Sequence, residues 1–201
     1  MARTIVTSLL IIAMTIEITR QLTDGFAAFT LESARRLDVS SNPRPVPPTV
    51  LLASTGRELL IGGPAQQETL VEFIYTSCPT ICVTLGQAFQ RAQTRIATEP
   101  ILKGVRLISI SFDLDRDTPE QLDAYGRGHG AEAPTWLIAK PRSGDDLQRL
   151  LATFDIVVLD DGNGGYVHNA AVHWVDGSGR LVRIVDVEDT DQLLSELGRR
   201  R

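Results

Sequence analysis

The chain has 201 residues, a formal net charge of -5 at pH 7 and 43% hydrophobic residues. That length suffices for one domain with a substantial core plus an appendage. The acidic balance, with no basic stretch interleaved with aromatics, argues against a nucleic-acid partner, and the closing RRR reads as a solvated tail.

The chain opens on an apolar run, IVTSLLIIAMTI, at residues 5–16, preceded by Arg3 and followed by Glu17. The run is shorter than the ~20 residues of a membrane span. It suits the core of an export signal, yet no A-x-A cleavage site follows it. Residues 1–20 are therefore expected to form an export signal that stays on as a membrane anchor; a buried N-terminal element is the alternative. The rest of the chain would then work outside the cytoplasm, on the periplasmic side of the inner membrane, under oxidising conditions. Residues 21–48 read as a connector. FAAFTLESARRL has helical spacing, and SNPRPVPP, residues 41–48, reads as a stiff extended linker without regular structure.

A globular domain is expected over residues 49–201. TVLLAS and RELLI read as strands flanking a turn, and LVEFIY as a buried strand. PTICVTLGQAFQRAQTRIA has helical periodicity, with Pro79 in its first turn. VRLISISF is a second buried strand. TPEQLDAYGRGHG starts a helix with a capping box from Thr118 to Gln121. TWLIAK is a strand and SGDDLQRLLATF a helix. AVHWVD and RLVRIVDV form a hairpin around GSG, and DTDQLLSEL a last helix. The alternation predicts an α/β fold with a mixed central sheet flanked by helices.

The only cysteines, Cys78 and Cys82, lie four apart in FIYTSCPTIC. Cys78 falls in the turn after a buried strand and Cys82 one turn into the next helix, so both sulfurs can converge at the carboxyl end of the sheet. The helix N-terminus there is expected to lower thiol pKa and favour thiolate. A C-x-x-C pair would point to a thioredoxin-type oxidoreductase. The longer loop opens joint coordination of one ion, beside a small static disulfide or two buried structural cysteines.

Two thiolates leave a metal site incomplete, and the chain offers three histidines. His129 ends a helix and reads as a C-terminal cap. His168 and His173, five apart, point to opposite faces if they share one strand. His168 follows a glycine-rich turn at the loop–strand junction and can reach the functional end; His173 reads as packed. Two thiolates and an imidazole are a soft set that favours copper, Cu(I) especially, whereas structural zinc wants a fourth protein ligand. Met1 and Met14 are the only methionines, so the globular domain cannot supply a thioether ligand.

Taken together, FIYTSCPTIC, SISFDLDRDTPEQLDAYG and VHNAAVHWVDGSGRL, in that order, resemble the Sco/SenC family. These are thioredoxin-like copper proteins that serve assembly of the CuA centre of cytochrome c oxidase. The resemblance implies a thioredoxin-like fold and one copper ion, Cu(I) and/or Cu(II), on Cys78, Cys82 and His168. In the family's register the ligand histidine is the one eight residues before Asp176, again His168. Asp113 and Asp117 match acids near the family's copper site and are expected to tune it or meet the partner. The alternating acids Asp113, Asp115 and Asp117 lack the glycine and glutamate of a calcium loop. One departure concerns the histidine's neighbours. Val167 and Asn169 stand where the family commonly has Asp and Ser or Thr, so the imidazole's support is expected to differ.

The implied function is that of a metallochaperone, not a turnover enzyme. It would pass copper to the copper-accepting subunit of cytochrome c oxidase. Another copper chaperone or a thiol reductase would be a further partner, and the N-terminal segment would meet the membrane. The competing reading is a thiol-disulfide reductase that uses a reversible Cys78–Cys82 disulfide and has no need of His168. Peroxidase chemistry ranks last, because no separate cysteine offers a distinct resolving partner.

Overall fold

The computed structural model describes residues 2–64, 67–78 and 81–200. Pro79, expected in a first helical turn, lies outside the described residues. Two compact units are present, Met1–Asn42 and Pro43–Arg201.

The first unit holds helices α1 (Ala2–Leu22) and α2 (Leu31–Ser41). The apolar helix outruns the 5–16 core, because Glu17 does not stop it. The Glu17 carboxylate accepts from Arg20 Nε at 2.9 Å and Nη2 at 2.8 Å, and from Gln21 Nε2 at 2.9 Å, all within a turn of helix. The 20 residues Arg3–Leu22 are long and apolar enough to cross a membrane by length and composition. Thr30 caps α2 in a reciprocal box with Ser33.

The second unit is built on an eight-stranded sheet. Its strands are β1 (Arg44–Pro45), β2 (Thr49–Ala53), β3 (Glu58–Ile61), β4 (Thr69–Ile74), β5 (Arg106–Ser111), β6 (Trp136–Pro141), β9 (Val172–Val175) and β10 (Arg180–Val185). Two more strands, β7 (Val158–Asp160) and β8 (Tyr166–His168), form a separate ribbon. The sheet order is β1-β10-β9-β4-β5-β6-β2-β3. Strands β4, β5 and β6 are parallel and the remaining pairings antiparallel. The parallel strands read as continuous apolar runs because they are covered on both faces; all six residues of β4 are buried.

Four helices flank the sheet: α3 (Ile81–Thr98), α4 (Pro119–His129), α5 (Gly144–Phe154) and α6 (Thr190–Arg199). The Thr118–Gln121 box forms at the head of α4, and Gly130 closes its tail at φ 70°. Phe73 of β4 meets Phe154 of α5 at 5.2 Å between ring centroids, and Phe89 of α3 meets Trp136 of β6 at 5.8 Å.

Two features depart from expectation. The proline-rich linker contributes β1, which pairs with β10, and Val46 is buried. Proline is tolerated because β1 is an edge strand. The seat is made by glycines: Val46 N–H donates to the Gly179 carbonyl at 2.9 Å, and Gly62, at φ 78°, leaves no room for a Cβ beside the carbonyls of Val46 and Pro47. The second departure is the β7–β8 ribbon, which separates His168 from His173. Asn169 ends β8 by turning its side chain to the Val157 N–H at 2.7 Å and the Asp155 carbonyl at 2.8 Å. The two histidines therefore do not share a strand.

Candidate metal centre

The cysteine turn leaves the carboxyl end of β4. Cys78 N–H donates to the Tyr75 carbonyl at 3.2 Å, and Cys82 N–H points at Cys78 Sγ at 3.5 Å. Both residues are reduced thiols, 9% and 1% exposed. The structure thus places the two sulfur-bearing residues together, one helical turn apart.

The acidity of Cys82 corrects the sequence reading. Burial pushes the Cys82 thiol well above its usual range; the neighbouring Cys78 and the buried Glu72 add to that, against one backbone hydrogen bond near Tyr75. The helix N-terminus was expected to favour thiolate, but desolvation in the packed interior outweighs it.

Asp113 and Asp117 do not reach outward. Asp117, 1% exposed, accepts from Thr76 N at 3.0 Å, Thr76 Oγ1 at 2.5 Å and Ser111 Oγ at 2.5 Å. It therefore ties the cysteine turn to the end of β5. Asp113 pairs with Arg116 Nε at 2.5 Å, and Asp115 is exposed. The Arg116 guanidinium also donates to the Gly164 carbonyl and lies over the Tyr166 ring at 4.9 Å.

His168 sits at the end of β8 and packs on Phe112 at 5.1 Å between ring centroids. Tyr75 and Tyr166 complete that aromatic cluster; Tyr75 lies 5.4 Å from Phe112 and 5.3 Å from Tyr166. Both His168 ring nitrogens are shut off from solvent and neither has a hydrogen-bond partner. Burial lowers the His168 pKa to about 4, so the imidazole is neutral at pH 7 and its lone pair is available. The flanking residues give it no help: Val167 faces solvent at 61% exposure and Asn169 is committed elsewhere.

The other histidines are packed. His173 is fully buried; its Nδ1 meets the Val71 carbonyl at 3.2 Å, and its ring lies between Phe73 and Phe154. His129 stacks on Tyr125 at 4.5 Å and presses on Gly86 of α3, while Gly130 provides the helix cap. Among the described residues no three His, Cys, Asp or Glu side chains lie close enough together to hold a metal ion. The thiol pair and the imidazole meet through Tyr75 and Phe112, not as a closed ligand set. Arg116, Tyr75 and Tyr166 were missed in the sequence. The arginine inside the acidic run DLDRD, the tyrosine closing LVEFIY and the tyrosine two residues before His168 were the available signals.

Beneath the cysteine helix lies Glu72, fully buried on β4. It accepts from Ser109 Oγ at 2.5 Å, and its other oxygen has no partner. Burial raises its pKa to about 8, so it is mostly protonated at pH 7.

Comparison with known proteins places this arrangement. The SCO1 protein homolog of Bacillus subtilis (strain 168) is 26% identical over 133 residues, 64% of this chain and 68% of that protein. A solved structure of BsSco, described as having a disulfide switch and as a member of the Sco family of cytochrome c oxidase assembly proteins, superposes with a TM-score of 0.68. It is 20% identical, covering 79% of this chain and 94% of its own. Arabidopsis thaliana ScoI with copper bound gives a TM-score of 0.63 at 19% identity, over 77% of this chain and 98% of its own. The mixed sheet with its flanking helices is the thioredoxin-like fold that these neighbours share. The sequence model of the SCO1/SenC family matches residues 50–199, nearly the whole second unit, and the chain belongs to that family.

Proposed function

We propose that this protein is a copper chaperone that holds one copper ion on Cys78, Cys82 and His168. It delivers that ion to the copper-accepting subunit of cytochrome c oxidase, for the CuA centre. The observation that carries this reading is the His168 imidazole. A buried, neutral ring with two unpartnered nitrogens is costly to keep unless a ligand completes it. The thiol pair on the same aromatic cluster supplies the soft donors that copper prefers. Copper is cargo here: the imidazole and thiols bind and release it, and the protonated Cys82 thiol gives up its proton as it arrives. The copper-bound ScoI relative and the oxidase-assembly family of BsSco support the cargo and the destination.

The apolar α1 supports attachment to a membrane; on this reading the second unit works on the periplasmic side. Asp113 and Asp117 act by tying loops together rather than as ligands, since both carboxylates are already engaged. A thiol reductase or another copper chaperone would act on the same thiols as donor or restorer.

A second reading has its own observation. The Cys82 amide donates to the Cys78 sulfur at 3.5 Å, so the two cysteines share one helical turn, and the BsSco relative is described by a disulfide switch. A thiol-disulfide reductase would use that pair alone. The test is His168→Ala in the full-length protein, complementing a deletion strain at limiting copper, beside a disulfide-reduction assay. The chaperone reading expects an intact, reducible cysteine pair with loss of oxidase activity. Full oxidase activity from a copper-free His168→Ala protein would hand the function to the reductase.

A further inference from the structure

The His168 imidazole has no hydrogen bond, so its place is set by its packing on Phe112 and by whatever holds its ribbon. Strands β7 and β8 are three residues each and join no larger sheet. An isolated two-stranded ribbon of that size is marginal in water. Its attachments to the rest of the unit therefore decide where the imidazole stands.

One segment touches both halves of the candidate centre. Asp117 grips Thr76 in the cysteine turn, at its N–H and its hydroxyl. Asp117 N–H in turn donates to the Asp113 carbonyl at 3.0 Å, and the buried Asp113 carboxylate anchors Arg116. The far side of the guanidinium donates to the Gly164 carbonyl and covers the Tyr166 ring, both in the ribbon. A cavity of about 550 Å³ opens at this junction, between Thr76 and Ser77 of the cysteine turn and Gly164 and Gly165 of the ribbon, with Arg116 on its wall.

We infer that Arg116 is a positioning residue for His168: its guanidinium fixes the β7–β8 ribbon relative to the cysteine turn and so sets how the imidazole meets a metal held by the thiols. The inference deepens the copper reading and rests on it for the identity of the metal. The geometry needs arginine. A planar fork bonds the Asp113 carboxylate along one edge, reaches a carbonyl along another and presents its face to an aromatic ring. Lysine keeps the charge beside Asp113 but cannot serve all three contacts at once. The contact is also partly open to solvent, since the Arg116 side chain is 42% exposed.

The test compares wild type, Arg116→Lys and His168→Ala as full-length proteins in detergent. Lysine is the choice because Arg116→Leu would strand the buried Asp113 carboxylate and risk misfolding. In the metal-free proteins, amide exchange at residues 158–168 is expected to be ~10-fold faster in Arg116→Lys, with residues 70–74 unchanged. With Cu(II) bound, Arg116→Lys is expected to keep its thiolate-to-copper absorption. It should lose most of the imidazole-nitrogen coupling in pulsed EPR and release copper ~10-fold faster, approaching His168→Ala. Unchanged ribbon exchange in Arg116→Lys would overturn the inference, and so would a looser ribbon with wild-type nitrogen coupling. Wild type without imidazole coupling would instead overturn the His168 assignment, and the exchange measurement would still decide whether Arg116 holds the ribbon.

Discussion

The Tyr75 hydroxyl donates to the Tyr166 carbonyl and accepts from the Tyr166 backbone N–H, each at 3.2 Å. One side chain from the end of β4 thus satisfies both backbone groups of a residue two positions before His168. Its ring packs on Phe112, which in turn carries the imidazole. Tyr75→Phe keeps the packing and removes the hydroxyl that makes this clamp and lies beside Cys78. We expect a loss of ~1–2 kcal/mol in chemical denaturation, and faster amide exchange at Tyr166 and His168. Wild-type exchange there would show that the Tyr75 hydroxyl is not what holds the ribbon.

Glu72 predicts a pH dependence. Its carboxyl pKa is raised to about 8 in the folded protein from 4.5, so the folded state binds the proton more tightly than the unfolded one. Stability from this group is therefore complete below the unfolded value and is lost as pH rises towards 8. His168 acts with the opposite sign: its lowered pKa costs stability only as pH falls from 6.5 towards 4. His129, whose pKa burial also lowers, acts the same way; both histidine contributions fade above pH 6.5, and Glu72 dominates the interval to pH 8. Stability should fall by ~2 kcal/mol across it, on the scale of 1.36 kcal/mol per pH unit for one proton. Glu72→Gln should flatten that decline, and thermal melts at stepped pH would read it. An unchanged slope in the variant would assign the decline to another group.

The linker seat makes a sharper stability prediction. A Cβ at Gly179 would lie 1.8 Å from the Gly63 carbonyl oxygen, and its φ of 79° disfavours any other residue. Gly179→Ala should cost more than ~2 kcal/mol through strain and displaced backbone. A truncation starting at Thr49 should also lower the melting temperature. It removes β1, the buried Val46 and the ion pair of Arg44 with Asp155 at 2.7 Å. A truncation at Pro43 keeps all three. Equal melting temperatures for the two truncations would refute the role given to the linker.

Thiol reactivity follows from burial. Cys82 is 1% exposed and its pKa is raised, so little of it is thiolate at pH 7. Iodoacetamide should modify Cys82 in the reduced, metal-free protein at least ~10-fold more slowly than an unhindered thiol. Mass spectrometry of a time course would check it. Rapid labelling of Cys82 would mean that the cysteine turn opens far more readily than its packing implies.

Much of this architecture was legible because it is written in local pattern. The buried runs of β4 and β5, the period of α3 and the Thr118–Gln121 box each carry their signal within a few residues. What escaped depends on partners distant in sequence. Arg44 and Pro45 are strand only because β10 offers an edge. The β7–β8 ribbon is too short for periodicity to show, and its end is set by the Asn169 side chain rather than by apolar alternation. The sign of the Cys82 shift was misjudged because helix position is visible in a sequence and depth of burial is not. The pairing of Cys78 with Cys82 follows from their spacing, whereas the bridge from Asp113 through Arg116 to Gly164 needed the folded loops.

The unequal sequence distances of the donors bear on the order of events during folding. Cys78 and Cys82 are neighbours in any conformation, while His168, the third donor proposed above, reaches the aromatic cluster beside them only after β4, β5 and β9 have paired and the ribbon has docked. Closing a long loop is slow and entropically costly, whereas a four-residue spacing is closed almost for free. On the proposed ligand set, a nascent chain that meets a soft ion early is therefore expected to capture it with two sulfurs and no nitrogen. Such an adduct is a kinetic trap of defined composition, and keeping the thiols metal-free until the sheet is complete becomes a condition for correct maturation.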